Sequence, residues 1–471
     1  MQATTAGKAR WLNGHIHCKH PLLSRKAFVA LASGVAFLVP CTAWAEDLQD
    51  LTRPGDTQSS HDRAVALDAT YGLKGWNIPW PSFGETVTQD DGYWRTRLAQ
   101  YGVSFLAVDF EIAARNLLDR PTSNNGTQAY FGQRFSLERT DAEYMNVDLS
   151  RWGVPNGQLQ IAGVQYHDTM QHYIRNANEL YRLVYYQTLL DGKLEVNAGY
   201  MAGASAFVGA FLAGQLYNPF GPSASIPVEL GISGSGTVQP IVFGKYHFGN
   251  FYNILGVARS ISPTAASDYN DIQVDPHQTR FHVPGENAVY VDELGYQVAA
   301  SSENMSTWIR GGGIDNTSRF HNYRTNGSST NAGGYFLADR QLTQIGGSGR
   351  GLYAGASVMY APPQTNIYSQ YYEARLYAKG AFDSRPKDTI AFVWAHNEVS
   401  RDFAGSINQT SATTGVFANN YTNSYTASYN VHVLSGVFVT LALSYTDHPS
   451  ATWVPGEGHA LNILASTYIA F

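Results

Sequence analysis

The sequence is poor in charged residues, in cysteine and in long apolar runs. Of its 471 residues only 14% are charged, against roughly 25% in ordinary soluble domains, whereas 13% are aromatic. This combination excludes an intrinsically disordered chain, which needs high charge and few aromatic residues. After residue 45 there is no run of about 18 consecutive apolar residues, so no membrane-spanning helix is expected.

The first 45 residues differ from the rest. They contain five basic side chains, no acidic one and both cysteines, Cys18 and Cys41. A 13-residue apolar stretch follows the basic residues from Ala27 to Val39, and Ala43 and Ala45 are the small residues that precede a signal-peptidase site. This pattern predicts a secretory signal peptide over residues 1–45, cleaved after Ala45. A buried core helix is the alternative.

Removal of that segment leaves an exported chain with no cysteine, and hence with no disulfide and no cysteine-based metal site. Its 26 basic and 37 acidic residues give a net charge of -11. An acidic chain does not attract nucleic acid electrostatically, so nucleic-acid binding is excluded.

Strict period-two alternation begins near residue 103 and continues to the C-terminus. Leu441 and Leu443, for example, share one face of a segment whose other face carries Thr440, Ala442 and Ser444. Such alternation predicts β-strands with one apolar side. Sixteen strands are expected, near 103–115, 141–150, 158–167, 179–188, 193–201, 238–247, 251–259, 287–300, 305–315, 333–344, 350–360, 367–379, 389–399, 422–434, 437–446 and 459–471.

The links between these strands alternate between mostly short and mostly long. The shortest is Ser435-Gly436, and the long set includes 202–237, 260–286, 316–332 and 400–421. Short turns at one rim and long loops at the other are typical of outer-membrane barrels, whereas β-sandwiches mix their loop lengths. The sequence therefore predicts an all-β fold: a transmembrane antiparallel barrel of about 16 strands in the bacterial outer membrane. The 61 aromatic residues suit girdles at its two interfaces.

This pattern divides the chain into three segments. Residues 1–45 form the signal peptide, and residues 46–91 are expected to be a polar periplasmic extension because they show no strand period. Residues 92–471 are expected to form the barrel, with a short helix at about 92–101 before the first strand. Phe471, an aromatic residue ending the last strand, suits recognition by the barrel-assembly machinery.

Several segments resemble one family of barrels. These are YWRTRLAQYGVSF (93–105), RLVYYQTLLDGKLEVNAGYM (182–201), GGYFLADRQL (333–342), GAFDSRPKDTIAF (380–392) and His448-Pro449. Together and in this order they resemble the carbohydrate-selective, OprB-type porins, although Arg340 stands where that family has glutamine. The resemblance implies passive diffusion of mono- or small oligosaccharides across the outer membrane.

The face opposite the apolar band should line the lumen. If Leu106, Val108 and Phe110 face outward, the alternate residues of the first strand should point inward. The same rule on later strands gives the full set of expected pore-lining residues: Asp109, Glu111, Arg115, Arg182, Lys193, Glu195, Glu293, Asp339, Glu373, Arg375 and Lys379. Mixed charges offer donors and acceptors to neutral hydroxyl groups, whereas a ring of one sign selects ions. The alternative for each residue is a solvated charge on the wall.

The longest loop, 202–237, carries a single charge, Glu229, and is expected to fold into the lumen because so apolar a loop is unsuited to the cell surface. Its aromatic residues would then form a constriction: Phe207, Phe211, Tyr217 and Phe220. Packing against the inner wall without contacting substrate is the alternative.

No catalytic motif is present: the sequence lacks a Gly-x-Ser-x-Gly elbow, His-Glu-x-x-His and a phosphate-binding loop. The chain is therefore expected not to be an enzyme and to need no cofactor. Its expected partners are carbohydrate solutes, outer-membrane lipid and the barrel-assembly machinery, while monomer and homo-oligomer both stay open. The alternative function is a barrel with a closed lumen and a structural or enzymatic surface role.

Overall fold

The computed structural model describes residues 58–77, 80–118, 128–170, 177–209, 225–234, 237–263 and 268–471. The expected signal peptide lies outside these residues. The eighteen strands of the described part are β1 Val103–Asn116, β2 Ser136–Asp148, β3 Gly157–Asp168, β4 Ala177–Leu189, β5 Leu194–Met201, β6 Gln239–Phe248, β7 Phe251–Arg259, β8 Ala288–Val298, β9 Thr307–Asn322, β10 Gly327–Gln341, β11 Gly351–Tyr360, β12 Tyr368–Lys379, β13 Thr389–Val399, β14 Phe417–Ala418, β15 Tyr421–Leu434, β16 Val437–Asp447, β17 Thr452–Trp453 and β18 Ala460–Ala470.

Sixteen of these strands form one closed antiparallel barrel, which confirms the predicted fold class. Each barrel strand pairs with the next one along the chain, and β18 pairs with β1 to close the ring. At the closure the last residue, Phe471, exchanges backbone hydrogen bonds of 2.8 and 3.2 Å with Ala107. The two-residue strands β14 and β17 pair with each other outside the barrel.

Two strand boundaries differ clearly from the prediction. Strand β2 begins at Ser136 rather than near residue 141, and the link expected over 316–332 is a tight hairpin between Asn322 and Gly327. In both places most residues are polar on both faces, so the apolar alternation that reveals a half-buried strand is weak although the backbone stays paired.

Six α-helices accompany the strands in the described ranges. They are α1 Ser60–Tyr71, α2 Trp94–Ala99, α3 Gly203–Ala206, α4 Ser225–Glu229, α5 Asp268–Val274 and α6 Arg401–Thr414. Among the described residues, none of these helices is long and apolar enough to cross a membrane. Helix α6 lies at the long-loop rim, where Ser400 caps its first turn and Gly415, at φ 68°, ends it.

The described residues before the barrel run through its interior, and we call residues 58–77 and 80–93 the luminal segment. The carbonyl oxygen of Tyr71 accepts hydrogen bonds from Ser104 on β1 (2.6 Å) and Asn146 on β2 (2.9 Å). Six residues later, the Asn77 amide donates to Glu293 on β8 at 3.3 Å. Because β1 and β8 lie far apart in a closed ring, a chain that touches the side chains of both must cross the lumen.

Gly75 allows this segment to approach the wall closely. Its φ of +76° is unfavourable for residues with a side chain, and a Cβ atom here would lie 2.5 Å from Asn197 Oδ1 and 2.5 Å from the Tyr186 ring. The crossing therefore depends on glycine at this position.

An apolar cluster joins the luminal segment to the inner wall. Ala64 of α1 and Phe83 are almost completely buried against Leu106 and Val108 on β1 and Tyr144 on β2. Residues 58–91 were expected to belong to a polar extension outside the barrel. The structure corrects this expectation: polar composition concealed a few apolar side chains that match the inner faces of β1 and β2.

Glu85 anchors the segment at the short-turn rim, the end of the barrel that carries turns such as 435–436. Its carboxylate forms an ion pair with Lys387, lies 2.6 Å from His432 Nε2 and accepts the Gly436 N–H at 3.2 Å. Burial alone would raise the pKa of Glu85, but the hydrogen bonds from Lys387 and His432 outweigh burial, so the pKa lies below its usual value of 4.5.

Replacing Glu85 by Gln should loosen the luminal segment while leaving the barrel folded. A lowered pKa means that the anchor stabilises the native state above pH 4.5 and is lost as the pH falls through the native value. Because Lys387 is about half exposed, we expect a loss of only about 1 kcal/mol at neutral pH. Limited proteolysis of the folded protein in detergent should therefore cleave the segment faster in the variant than in wild type.

Acidification should speed cleavage of the wild-type segment and have little further effect on Glu85→Gln. Asp91→Asn is the matched control, because Asp91 lies in the same segment but is exposed. Equal cleavage of wild type and Glu85→Gln at neutral pH would show that Glu85 does not hold the segment.

Candidate functional site

The luminal segment identifies which face of each strand points inward. By this criterion, most of the charged residues predicted to line the pore lie on the inward-facing side of their strands, and all of these are partly or fully buried: Arg182, Glu195, Glu293, Asp339, Glu373, Arg375 and Lys379. Lys193 lies instead in the exposed turn between β4 and β5.

Three predicted pore residues face away from the lumen, which corrects the expectation for β1. Leu106 and Val108 point inward against Phe83, so Asp109, Glu111 and Arg115 occupy the outer face of the barrel. The rule that apolar residues face lipid fails on this strand, because the lumen beside it is filled by apolar side chains rather than by water.

Glu293 on β8 is a central acceptor in the lumen. Its fully buried carboxylate accepts hydrogen bonds from Tyr335 (2.6 Å), Tyr252 (3.0 Å) and Asn77 (3.3 Å). The backbone N–H of Val208, in the segment that follows β5, adds a fourth at 3.0 Å. Glu293 therefore joins the barrel wall, the luminal segment and the chain after β5 at one point.

Arg310 on β9 lies beside this point and is almost completely buried. Its guanidinium stacks on Trp308 with 3.5 Å between Cζ and the ring centroid, and its Nε donates to the carbonyl oxygen of Val208. Trp308 in turn donates its indole N–H to Tyr252 at 3.0 Å. Glu293 and Arg310 thus hold the backbone N–H and the carbonyl oxygen of Val208, respectively, inside the barrel.

A second network surrounds Arg375 on β12. Two of its nitrogens contact the Asp339 carboxylate at 2.8 and 2.5 Å, and a third donates to Glu373 at 2.5 Å and to Ser357 at 2.8 Å. Tyr377 donates to Asp339 as well, at 3.0 Å. Removing one charge from so buried a pair leaves the other uncompensated, which typically costs about 3–5 kcal/mol.

Aromatic rings from the luminal segment meet a third buried cation. Trp76 stacks on Trp80 with 4.7 Å between centroids, and the Arg182 guanidinium lies 4.0 Å above the Trp76 ring. Arg182 also donates to Gln160 on β3 at 2.6 Å. The segment thus carries a rigid aromatic surface into the interior.

A cavity of about 560 Å³ opens beside these groups. Rings and charges share its lining, together with backbone from the turn around residue 300; the side chains that bear on binding are Trp76, Asn77, Lys245, Trp308, Asp339, Tyr353, Tyr377 and Lys379. The Lys379 ammonium lies 5.0 Å from the centroid of Tyr353. Within the described ranges no group of three or more His, Cys, Asp or Glu side chains could hold a metal ion. The lining instead offers ring faces and hydrogen-bonding groups to an uncharged polar solute.

The described ends of the loop between β5 and β6 contact the inner wall. Phe207 is completely buried and packs on Phe243 with 5.6 Å between centroids, so it faces the wall rather than the cavity. Phe211, Tyr217 and Phe220 lie outside the described residues. Farther along, Glu229 accepts the backbone N–H of Tyr368 at 3.0 Å, and Asn331 donates to the Glu229 carbonyl oxygen at 3.0 Å.

Several side chains at or beside the cavity were not predicted from the sequence. Arg310 follows the outward-facing Ile309, so strand alternation could have identified it as luminal. The same strand alternation could have identified Lys245 as luminal. Trp76 and Asn77 carry no such signal, because they lie in a segment without strand periodicity whose place in the lumen depends on distant contacts.

Comparisons with known proteins agree with this architecture. A family model described as the carbohydrate-selective porin, OprB family, matches residues 121–462. The high-pH structure of OprB from Pseudomonas putida is 19% identical, with a TM-score of 0.68 over 82% of this chain and 98% of that chain. The low-pH structure of the same protein is 18% identical, with a TM-score of 0.50 over the same shares. A search of curated proteins finds no match.

The buried Glu229 should make stability fall with rising pH. Burial raises its pKa from 4.5 to about 8 despite backbone hydrogen bonds from Tyr368 and Ile367. The folded state therefore keeps a proton that the unfolded chain releases above pH 4.5, and the associated stability is lost as the pH rises through about 8. Between pH 6 and 9 we expect Glu229→Gln to lose less stability than wild type, by on the order of 2 kcal/mol.

Thermal unfolding in detergent, followed by tryptophan fluorescence at both pH values, measures this difference. Glu303→Gln is the control, since Glu303 is exposed in the turn between β8 and β9. The assignment is wrong if wild type and Glu229→Gln lose equal stability over this range.

Proposed function

Because the chain belongs to the OprB family of carbohydrate-selective porins, and is thus a passive channel of the outer membrane, we propose that its substrates pass the luminal cavity described above. One observation supports this proposal most strongly: aromatic rings and partly buried charges of both signs converge on the same cavity. We infer that monosaccharides and small oligosaccharides are the solutes that fit it.

Sugars present two surfaces that this lining can recognise. Their hydroxyl groups donate and accept hydrogen bonds, which suits ammonium donors such as Lys245 and Lys379 and the acceptor Asp339. Their C–H faces are apolar and suit flat rings such as Trp76 and Tyr353. The positive charge of Arg375 is paired with the carboxylates of Asp339 and Glu373. The wall therefore has no uniform field that would favour ions of one sign.

The luminal segment and the chain after β5 together form the constriction in this proposal. They touch directly, since the backbone N–H of Asn77 donates to the carbonyl oxygen of Ser205 at 3.0 Å. Both also bind Glu293, so the wall, segment and loop define the free space jointly. The pore-lining roles assigned from the sequence to Arg182, Glu195 and Lys379 belong to the same proposal.

A closed barrel is the second candidate, and the luminal segment favours it because the segment fills the interior beside β1–β4. In that case the chain would have a structural or enzymatic role at the surface. The presence of conductance distinguishes the two candidates.

Export and assembly complete the proposal. The leader is removed after Ala45, and the barrel-assembly machinery inserts the chain with the aid of the terminal Phe471 strand. Outer-membrane lipid then contacts the apolar outer face.

The purified protein should form channels in planar bilayers, and sugars should reduce the ion current. Liposome swelling should be faster with monosaccharides than with larger oligosaccharides of equal osmolarity. Absence of both conductance and swelling from heat-modifiable, folded protein would favour the closed barrel.

Trp76→Ala should raise single-channel conductance and weaken the block of current by sugar. Removing the ring widens the lumen and deletes one stacking surface, and an aromatic contact of about 0.5–1.5 kcal/mol corresponds to roughly two- to tenfold weaker binding. Trp152→Ala is the matched control, because Trp152 is exposed in the turn after β2. Greater conductance with unchanged sugar block would show that Trp76 narrows the pore without binding the solute.

A further inference from the structure

The luminal segment begins and ends at the same rim of the barrel. Near its start, the Ser60 hydroxyl accepts the backbone N–H of Asp90 at 3.0 Å, and Arg63 forms an ion pair of 3.0 Å with the Asp90 carboxylate. Near its end, the backbone N–H of Val87 donates to the carbonyl oxygen of Ala470 at 2.8 Å, at the short-turn end of β18. A segment held in this way can leave the lumen as a unit, because neither of its ends is fixed at the far rim.

The segment contacts the short-turn half of the barrel wall. The carbonyl oxygens of Gly72 and Lys74 accept hydrogen bonds from Gln158 (3.1 Å) and Gln160 (2.9 Å), the second and fourth residues of β3. Its contact with β8, at Glu293, lies five residues from the short-turn end of that strand, which corresponds to roughly 17 Å. Wall side chains make these hydrogen bonds, so withdrawal of the segment breaks no pairing between barrel strands.

Polar groups beside the segment lack partners while it occupies the lumen. Arg182 is only 1% exposed, and its contacts in the described part of the chain are neutral ones with Gln160 and the Trp76 ring. Among the described residues its Nη2 nitrogen has no hydrogen-bond partner, and neither do the indole N–H groups of Trp76 and Trp80. A buried cation without a counter-ion and buried donors without acceptors destabilise the state that buries them. Withdrawal of the segment would let water reach all three side chains.

Apolar contacts oppose that withdrawal. Ala64 and Phe83 would leave the cluster that they form with Leu106 and Tyr144, and water would reach both sides of it. The rim contacts of Glu85 hold the segment in the same position. The seated position is therefore the major state and the withdrawn position a minor one, as in an element with two conformations of similar free energy.

We propose that the luminal segment is a reversible plug, which withdraws through the short-turn rim and converts a narrow lumen into a wide one. In the withdrawn state Arg182 and Gln160 line open water beside β1–β4. The open channel and the closed barrel considered above are then two states of one chain. The segment precedes residue 121, where the match to the family model begins, so the plug is a property of this chain rather than of the matched region.

The accessibility of a buried thiol tests for withdrawal. The chain has no cysteine after residue 41, so an introduced thiol is the only one in the exported protein. In folded protein in detergent, Ala64→Cys should react with a water-soluble maleimide faster than Ala258→Cys, because Ala258 is buried on β7 in a different cluster. Glu85→Gln should raise the rate for Ala64→Cys roughly fivefold, the ratio equivalent to the loss of about 1 kcal/mol expected for that variant, and leave Ala258→Cys unchanged.

A tether tests whether withdrawal widens the channel. Tyr71 and Ser104 are neighbours across the contact between segment and wall, with Ser104 Oγ 2.6 Å from the Tyr71 carbonyl oxygen. In planar bilayers the wild-type protein should step between a smaller and a larger conductance. A short bis-methanethiosulfonate linker between Tyr71→Cys and Ser104→Cys should abolish the larger steps, and reductive cleavage should restore them. Each single-cysteine variant treated with the same reagent is the matched control and should keep them.

Equal labelling of Ala64→Cys and Ala258→Cys, with and without Glu85→Gln, overturns the proposal. So does a conductance of one level only, or a linked protein that keeps the larger steps. Protein that labels as expected but never conducts would support withdrawal of the segment and contradict the channel function instead. Heat-modifiable mobility confirms that each variant is folded, and labelling decides the question should the double-cysteine variant fail to fold.

Discussion

The contents of the lumen determine which side of each strand faces inward. A strand in a closed barrel presents alternate residues to two environments, and alternation alone does not say which is which. On β1, Leu106 and Val108 face Phe83 of the luminal segment, so the charged residues face outward. On β12, Glu373 and Arg375 line the lumen and Leu376 faces outward. The same period-two pattern thus has opposite orientations on two sides of one barrel.

On the side of the barrel that contains β8 and β12, the polar side chains in the lumen form most of their hydrogen bonds with other groups of the protein. Glu293 accepts hydrogen bonds from four donors, and Arg375 contacts two carboxylates and a hydroxyl. Such groups are held rigidly, because any movement would break several charge-assisted hydrogen bonds together. In the proposed channel these groups shape the pore, and the ammonium groups of Lys245 and Lys379, which lie over tyrosine rings, offer hydrogen bonds to a solute.

Strand alternation was sufficient to predict the number of strands, the closure of the barrel and the luminal position of Arg182, Glu293 and Arg375. It failed for Asp109 and Glu111, since their orientation depends on Ala64 and Phe83 of the luminal segment, which has no strand periodicity of its own. The full length of β9 and β10 was missed for a related reason: most residues of the extension are polar on its buried face as well, as at Ser318 and Asn331, so the apolar signal is lost. Contacts between residues far apart in sequence, such as Asn77 with Glu293, leave no local pattern at all.

The inward orientation of Leu106 and Val108 also explains why charged residues lie on the outer wall at β1 and β2. Moving the pairing by one residue would turn Asp109, Glu111 and Asp141 inward, but it would place them against Phe83 and expose Leu106 to the outside. The apolar cluster opposes that shift, so the charges must remain on the outer face. A barrel surrounded only by lipid would be more stable with apolar residues at these positions. The filled lumen beside β1 and β2 and the charges on their outer face are therefore two consequences of a single register.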